Sequence, residues 1–395
     1  MTFASFTGIL SGMWFPEHPL SRREFLKLAS LSVGAVALEP WLPRSMAFRA
    51  ERGLSLPQFP AGDFLGRNCS SGKIEVKIRP DHNAATANWI YEDTVLPWLR
   101  EVNALTQDLN RINQRWVETP DGYVYAADFQ PCRNLPNTPL SALPVGQSGF
   151  WAEVTVPYVD LYLANPPARS PGVIAQLKQG VQPRLYYTQV VWIDSIQTSD
   201  LGTLQYRFSE DGGRPPGVTG GSYGDLFWAE GAAFRPLTPE DLAPINPDVD
   251  PATKHIVVNL TYQTLSCLEG QNEVYFCRVS TGDAPGETPV GDNFPISRKT
   301  LSIHMSGGNR NTGYDGPAIS WTSLFVYSIG DAIHAATWHN DFGTPRSHGC
   351  VNCSPEDAKW IFRWTLPTVT LEMSDITLAD PLKGSTLVSV KERLF

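Results

Sequence analysis

Proline and glycine punctuate this chain so densely that long helices have little room. There are 33 prolines and 32 glycines in 395 residues, about one position in six, and both residue types weaken helix interiors. Between them lie short runs rich in aromatic and β-branched residues, which read as strands joined by turns. Aromatics reach 11%, too many for intrinsic disorder. The fold class is therefore mainly β, and the length calls for two or three domains. A net charge of −9 leaves no basic footprint, so no nucleic-acid partner is expected. No apolar run reaches the ~18 residues of an ordinary membrane span. Six cysteines are too few for a disulfide scaffold and have to be read one at a time.

Residues 1–47 read as an address. Ser21-Arg22-Arg23-Glu24-Phe25-Leu26-Lys27 precedes a mildly apolar stretch from Leu28 to Leu38, and the pair resembles the twin-arginine signal of bacterial export. Ser45-Met46-Ala47 has the small-x-small pattern of a cleavage site. The twin-arginine export machinery is thus an expected partner. The expected location is the periplasm or cell wall, or the membrane surface if the signal is retained. The alternative is an amphipathic amino-terminal helix that belongs to the fold.

The remaining sequence divides by its turn-rich linkers. A strand-rich block at 63–134 ends in Val124-Tyr125-Ala126-Ala127-Asp128-Phe129-Gln130-Pro131. A second block at 150–238 ends in Trp228-Ala229-Glu230 and Phe234-Arg235-Pro236, a loose echo of the first. The echo suggests two small barrels in tandem, which resemble the SH3-like modules of bacterial cell-wall proteins; glycan is the partner that likeness implies. A Pro- and Asp-rich connector, Leu237–Pro251, offers a short capped helix from Thr238. A third, β-rich domain follows at 252–373, with a tail at 374–395 whose Ser385–Val390 run is a candidate closing strand. Cys69 and Cys132 fall in the first and last strands of the first barrel, a candidate disulfide. Cys267 and Cys277 straddle a hairpin; a two-residue loop at Gly270-Gln271 sets Cys267 opposite Val274 and Cys277 on the other face, leaving two free buried thiols.

The chemistry is concentrated between His334 and Phe362. Ile333-His334-Ala335-Ala336-Thr337-Trp338 runs on to Ser347-His348-Gly349-Cys350-Val351-Asn352 and Cys353-Ser354-Pro355-Glu356-Asp357. Ser354 at the N-cap and Pro355 behind it start a helix. Cys350 stands just upstream, where a helix amino terminus would lower a thiol pKa. Gly349 permits the tight turn that presents N–H groups to an oxyanion. Either His334 or His348 can serve as the proton partner a thiolate nucleophile needs.

This H…S-H-G-C-x-N arrangement resembles the catalytic signature of the L,D-transpeptidases, the YkuD-like domains that remodel bacterial peptidoglycan. The resemblance implies Cys350 as nucleophile and His334 as base, with the Ala335 carbonyl orienting the imidazole. Ser347, His348 and Gly349 would shape the site, with the Gly349 and Cys350 N–H groups on the oxyanion. Met305, Trp338 and Asn352 would line the donor pocket. The implied substrates are peptidoglycan stem peptides, and neither step of the implied acyl transfer requires a metal or an organic cofactor. Where the family usually carries H-G-T or H-S-x, this chain has His334-Ala335-Ala336.

Four other readings compete. The same site used with water would be an L,D-carboxypeptidase. A silent wall-binding protein would rely on the barrels alone. Cys350-Val351-Asn352-Cys353 is also a CxxC before a helix, as in thiol–disulfide oxidoreductases, although Cys353 as a plain packing residue needs no function. His334, His339, His348, Cys350 and Cys353 are zinc-ligand types without the spacing of a structural zinc module. His304 lies on an apolar strand, where a satisfied core histidine is the ordinary outcome.

Overall fold

The computed structural model describes residues 55–213, 223–307 and 314–392. The export signal expected at 1–47 lies outside them. The described residues all fall within one unit, Gly53–Phe395.

The first block forms β1 (Leu65–Asn68), β2 (Ile74–Lys77), β3 (Thr86–Ile90), β4 (Val95–Pro97), β5 (Arg100–Asn103), β6 (Arg115–Thr119), β7 (Gly122–Tyr125) and β8 (Phe129–Cys132). They pair in the orders β4-β1-β8 and β3-β2-β7-β6-β5. The second block forms β9 (Phe150–Val154), β10 (Tyr158–Asp160), β11 (Tyr162–Leu163), helix α1 (Pro171–Lys178), β12 (Arg184–Tyr186), β13 (Val190–Ile193), β14 (Ser195–Thr198), β15 (Leu204–Ser209), β16 (Leu226–Glu230) and β17 (Phe234–Pro236). Its orders are β13-β9-β17, β10-β12 and β11-β16-β15-β14.

The two blocks share part of their pairing pattern: each first strand is flanked by a mid-block strand and by the last strand. The remaining strands differ, forming one five-stranded sheet in the first block and separate two- and four-stranded sheets in the second. The sequence echo sits at matching places, since a 3₁₀ turn (Ala126–Asp128, Gly231–Ala233) feeds the last strand in each. Helix α1, capped by Ser170, is an insertion that the strand-rich pattern did not announce.

The third region forms β18 (Lys254–Asn259), β19 (Thr264–Glu269), β20 (Asn272–Arg278), β21 (Gly291–Pro295), β22 (Arg298–Gly307), β23 (Tyr314–Val326), β24 (Asp331–Ala335), β25 (Val351–Cys353), helix α2 (Pro355–Trp364), β26 (Asp375–Thr377) and β27 (Leu387–Lys391). Two five-stranded sheets result, β20-β19-β18-β27-β21 and β25-β24-β23-β22-β26. The expected closing strand is β27, and it runs parallel to β18 in the interior of its sheet. Helix α2 packs between the sheets through Ala358, Ile361, Phe362 and Trp364.

Two cysteine expectations are corrected. β1 and β8 are neighbours, but Cys132 lies opposite Leu65. Cys69 is the residue after β1, four positions from Leu65, about 13 Å at the ordinary strand rise and beyond the reach of a disulfide. In the β19–β20 hairpin a bulge shifts the register, so that Cys267 opposes Tyr275 rather than Val274. Cys277 therefore shares the face of Cys267. Both thiols are buried and free, as expected, but in one core.

That core does not belong to the third region alone. Trp151, Val190, Trp192, Leu237 and Leu242 from the second block and its connector pack into it. Polar contacts follow the same seam. Gln189 donates to the carbonyls of Pro317 (3.0 Å) and Ala318 (3.1 Å), and the Val190 N–H donates to Ser320 Oγ (2.8 Å). Polar groups help join the first block. Buried Arg67 donates to Asp93, Gln130 and the Thr337 carbonyl, each at 2.6 Å, and Asn340 donates to the carbonyls of Ala126 (3.0 Å) and Phe129 (3.1 Å).

Candidate active site

β24 and β25 are parallel neighbours, with His334 opposite Asn352. That register places Cys350, one residue before β25, level with Ala332 and beside the strand that carries His334. Both side chains line one cavity of about 540 Å³, together with Met305, Trp338, Ser347, His348 and Asn352. Seven of the nine residues expected at the site line that cavity, and an eighth, Ala335, contacts the His334 ring through its carbonyl. His334 Nδ1 lies 3.0 Å from the Ala335 carbonyl. Because a carbonyl only accepts, Nδ1 carries the proton and Nε2 is left unprotonated in the neutral ring.

Gly349, the ninth, works through its backbone. Its φ is +137°, and a Cβ there would stand 2.3 Å from Asp331 Oδ1, so only glycine fits. Its N–H donates to Ser347 Oγ (3.1 Å), while the Ser347 hydroxyl donates to the Cys350 carbonyl (2.5 Å). The Gly349 N–H is thus engaged in the resting structure, and of the two donors expected for an oxyanion it is not the ready one. Thr288 pins the same turn by donating to the Gly349 carbonyl (2.7 Å).

The electrostatics correct the expected activation of the cysteine. Desolvation pushes the Cys350 thiol up to about 12, with Asp331 adding to the rise and the Ala332 N–H opposing it. Strand β25 separates Cys350 from the helix start, and macrodipole effects fade beyond the first turn. Burial likewise lowers His334 to about 4, against the opposing bond to Ala335. The resting pair is a neutral thiol and a neutral imidazole. Trp338, 43% exposed, stands with its ring centre 5.9 Å from that of His334.

His339 is a support rather than a ligand. Its Nδ1 accepts from the Asp341 N–H (3.2 Å), and its Nε2 faces the Asn352 side-chain amide at 3.2 Å. With Nδ1 accepting, Nε2 holds the proton, and the Asn352 amide, whose nitrogen faces it, pairs with it once the amide is turned to present its oxygen, which otherwise has no partner among the described residues. Burial, with Arg346 and His334 nearby, lowers His339 to about 3. Cys353 faces the core and not the cavity, because three residues along a strand reverse the face. The Cys350/Cys353 redox pair and the five-residue zinc set are therefore not assembled. His304 is satisfied, as a core histidine should be, by Asp315.

Several lining residues were not foreseen. Ser170, Arg184, Tyr186 and Gln189 come from the second block, and nothing in their local sequence marks them. Asp331 had a readable signal, as an acid opening the otherwise apolar run to His334.

Residues 253–384 match the L,D-transpeptidase catalytic domain, YkuD. The chain thus carries a domain of that enzyme class. Among solved structures it is similar to a mutant Enterococcus faecium L,D-transpeptidase at 19% identity, with 35% of this chain and 50% of that one covered and a TM-score of 0.27. An L,D-transpeptidase from Mycobacterium smegmatis aligns at 15% identity, covering 50% of this chain and 93% of that one, with a TM-score of 0.28. L,D-transpeptidase 3 from Mycobacterium tuberculosis gives 16%, 52%, 92% and 0.27 for the same quantities. The chain spans about half the length of the Enterococcus faecium protein. No curated protein sequence matches it.

Proposed function

We propose that this protein is an exported cell-wall enzyme that forms or exchanges peptidoglycan stem-peptide cross-links through a thioester on Cys350. The observation that carries the reading is the placement of Cys350 and His334 on one cavity, with Nδ1–H of His334 committed to the Ala335 carbonyl. In this reading Sγ gives its proton to Nε2 as it attacks the carbonyl between an L-centre and a terminal D-residue. The imidazolium returns that proton to the departing D-amino acid. An amine from a neighbouring stem then takes the acyl group and releases the thiol. Water in its place would make the enzyme an L,D-carboxypeptidase.

The location is part of the proposal. The twin-arginine string at 21–27 supports export to the periplasm or wall. The flanking of the first strand by a mid-block strand and the last strand, shared by the two amino-terminal blocks, supports their reading as tandem SH3-like modules, with glycan as a ligand of at least one.

The test is intact-protein mass spectrometry after exposure to a carbapenem, an acylating β-lactam. An adduct of one drug mass is expected, and Cys350→Ala should abolish it while Cys353→Ala retains it. Absence of an adduct on the fully reduced protein would instead favour a silent wall-binding protein.

A further inference from the structure

Three carboxylates line the catalytic cavity, and two are already in use. Glu210 accepts from the backbone N–H groups of Tyr223 and Gly224. Asp315 accepts from His304 Nε2, from Ser170 Oγ (2.5 Å) and from the Gly172 N–H (2.8 Å). Asp331 differs. It is 5% exposed, and its Oδ2 is buried with no hydrogen-bond partner among the described residues. The charge that acts on it is a second carboxylate, Glu287; burial and that repulsion push it up to about 6. A buried carboxylate without a partner is costly, and a cation entering the cavity would relieve that cost.

Its position says which cation. Asp331 Oδ1 lies against Gly349, the residue before the nucleophile. The carbonyl of Gly330, the residue before Asp331, is 3.9 Å from Cys350 Sγ. The carboxylate therefore borders the sulfur, where a nucleophile must approach a thioester.

We propose that Asp331 is the acceptor-binding residue, its carboxylate receiving the primary ammonium of the incoming stem beside the Cys350 thioester. This rests on the thioester reading above. The ammonium gives one proton to the Asp331 carboxylate, and the neutral amine attacks the thioester carbonyl. The C–N bond forms as the C–S bond breaks. The second nitrogen proton passes through His334 to Sγ, which restores the thiol, and the Asp331 proton returns to solvent.

The test uses the full exported chain, a stem tetrapeptide as donor and two competing acceptors. Nα-acetyl-lysine amide presents an ammonium, whereas hydroxylamine is uncharged at neutral pH. Asp331→Asn should lower the ratio of lysine product to hydroxamate by about tenfold to a hundredfold, the usual range for a charge-assisted hydrogen bond. Asp331→Glu should restore part of it. In the unmodified protein, transfer to the lysine derivative should saturate while transfer to hydroxylamine rises linearly. An unchanged ratio, or linear dependence on both acceptors, overturns the proposal. So does slower acylation by an amine-bearing donor with the ratio intact. Loss of the carbapenem adduct in the unmodified protein would remove the thioester itself, a failure distinguishable from these.

Discussion

His334 is buried and held neutral, and that single condition sets how the site should answer to pH. Its imidazole, lowered to about 4, is a competent base above that pH and is lost as pH falls through it. Carbapenem acylation should therefore keep its rate down to about pH 4–5, well below the ordinary histidine value of ~6.5. Rates should be taken in Asp331→Asn as well, because Asp331 titrates near 6 beside the thiol. An acid limb near 6.5 in both proteins would sink the neutral-pair account. Stability carries the same sign. His334 and His339 have depressed folded values, so their contribution is full above ~6.5 and fades as pH falls towards 4 and 3. At this scale the sequence displayed the cysteine, histidine and asparagine that line one cavity, Cys350, His334 and Asn352, because the proposed chemistry needs those residue types in a fixed spacing. It did not display the thiol's desolvation or the engagement of the Gly349 N–H, both of which depend on how strands meet.

Helix α2 illustrates the limit at the level of an element. Its start was legible, since Ser354 accepts from the Asp357 N–H (3.2 Å) as a local cap. Its end was not, because the carbonyls there are capped from strands far away in sequence. Lys299 donates to Phe362 (2.6 Å) and Thr365 (2.8 Å), and Lys254 donates to Trp364 (3.1 Å). Ser354→Ala should cost about 1 kcal/mol. Lys299→Ala should cost more, because it strands the buried Thr365 carbonyl at about 1–3 kcal/mol, leaves the Phe362 carbonyl only the longer bond from Thr365 Oγ1 (3.3 Å), and opens a cavity where Lys299 is fully buried. Thermal or denaturant melts of the two variants check the order, and a Lys299→Ala protein as stable as Ser354→Ala would contradict it. The bulge that moved Cys277 to the face of Cys267 belongs to the same class of feature. A hairpin loop fixes register only as far as the first irregularity.

The whole molecule is built so that the catalytic region is incomplete without its neighbour. Five apolar side chains of the second block and connector, Trp151, Val190, Trp192, Leu237 and Leu242, are part of the core that also holds Val351 and Cys353. At roughly 1.5–3 kcal/mol for each fully buried large side chain, their removal would forfeit about 7–15 kcal/mol, with the low end the safer figure because such area-based values overestimate. That is comparable with the ~5–15 kcal/mol of a whole domain. The cavity loses a wall too, as Arg184, Tyr186 and Gln189 line it. A fragment of residues 252–395 should therefore fail to melt cooperatively and form no carbapenem adduct. The first block contributes polar anchors, Arg67 on Thr337 and Asn340 on Ala126 and Phe129, and one small apolar cluster in which Leu65, Val95 and Cys132 meet Tyr158 and Tyr187. A 137–395 fragment should accordingly fold, with a loosened 337–340 segment and slower acylation. Calorimetry and adduct formation on both fragments decide the matter. If 252–395 melted at the temperature of the full chain, the shared core would be a contact without energetic weight, and the second block would revert to a tethered module.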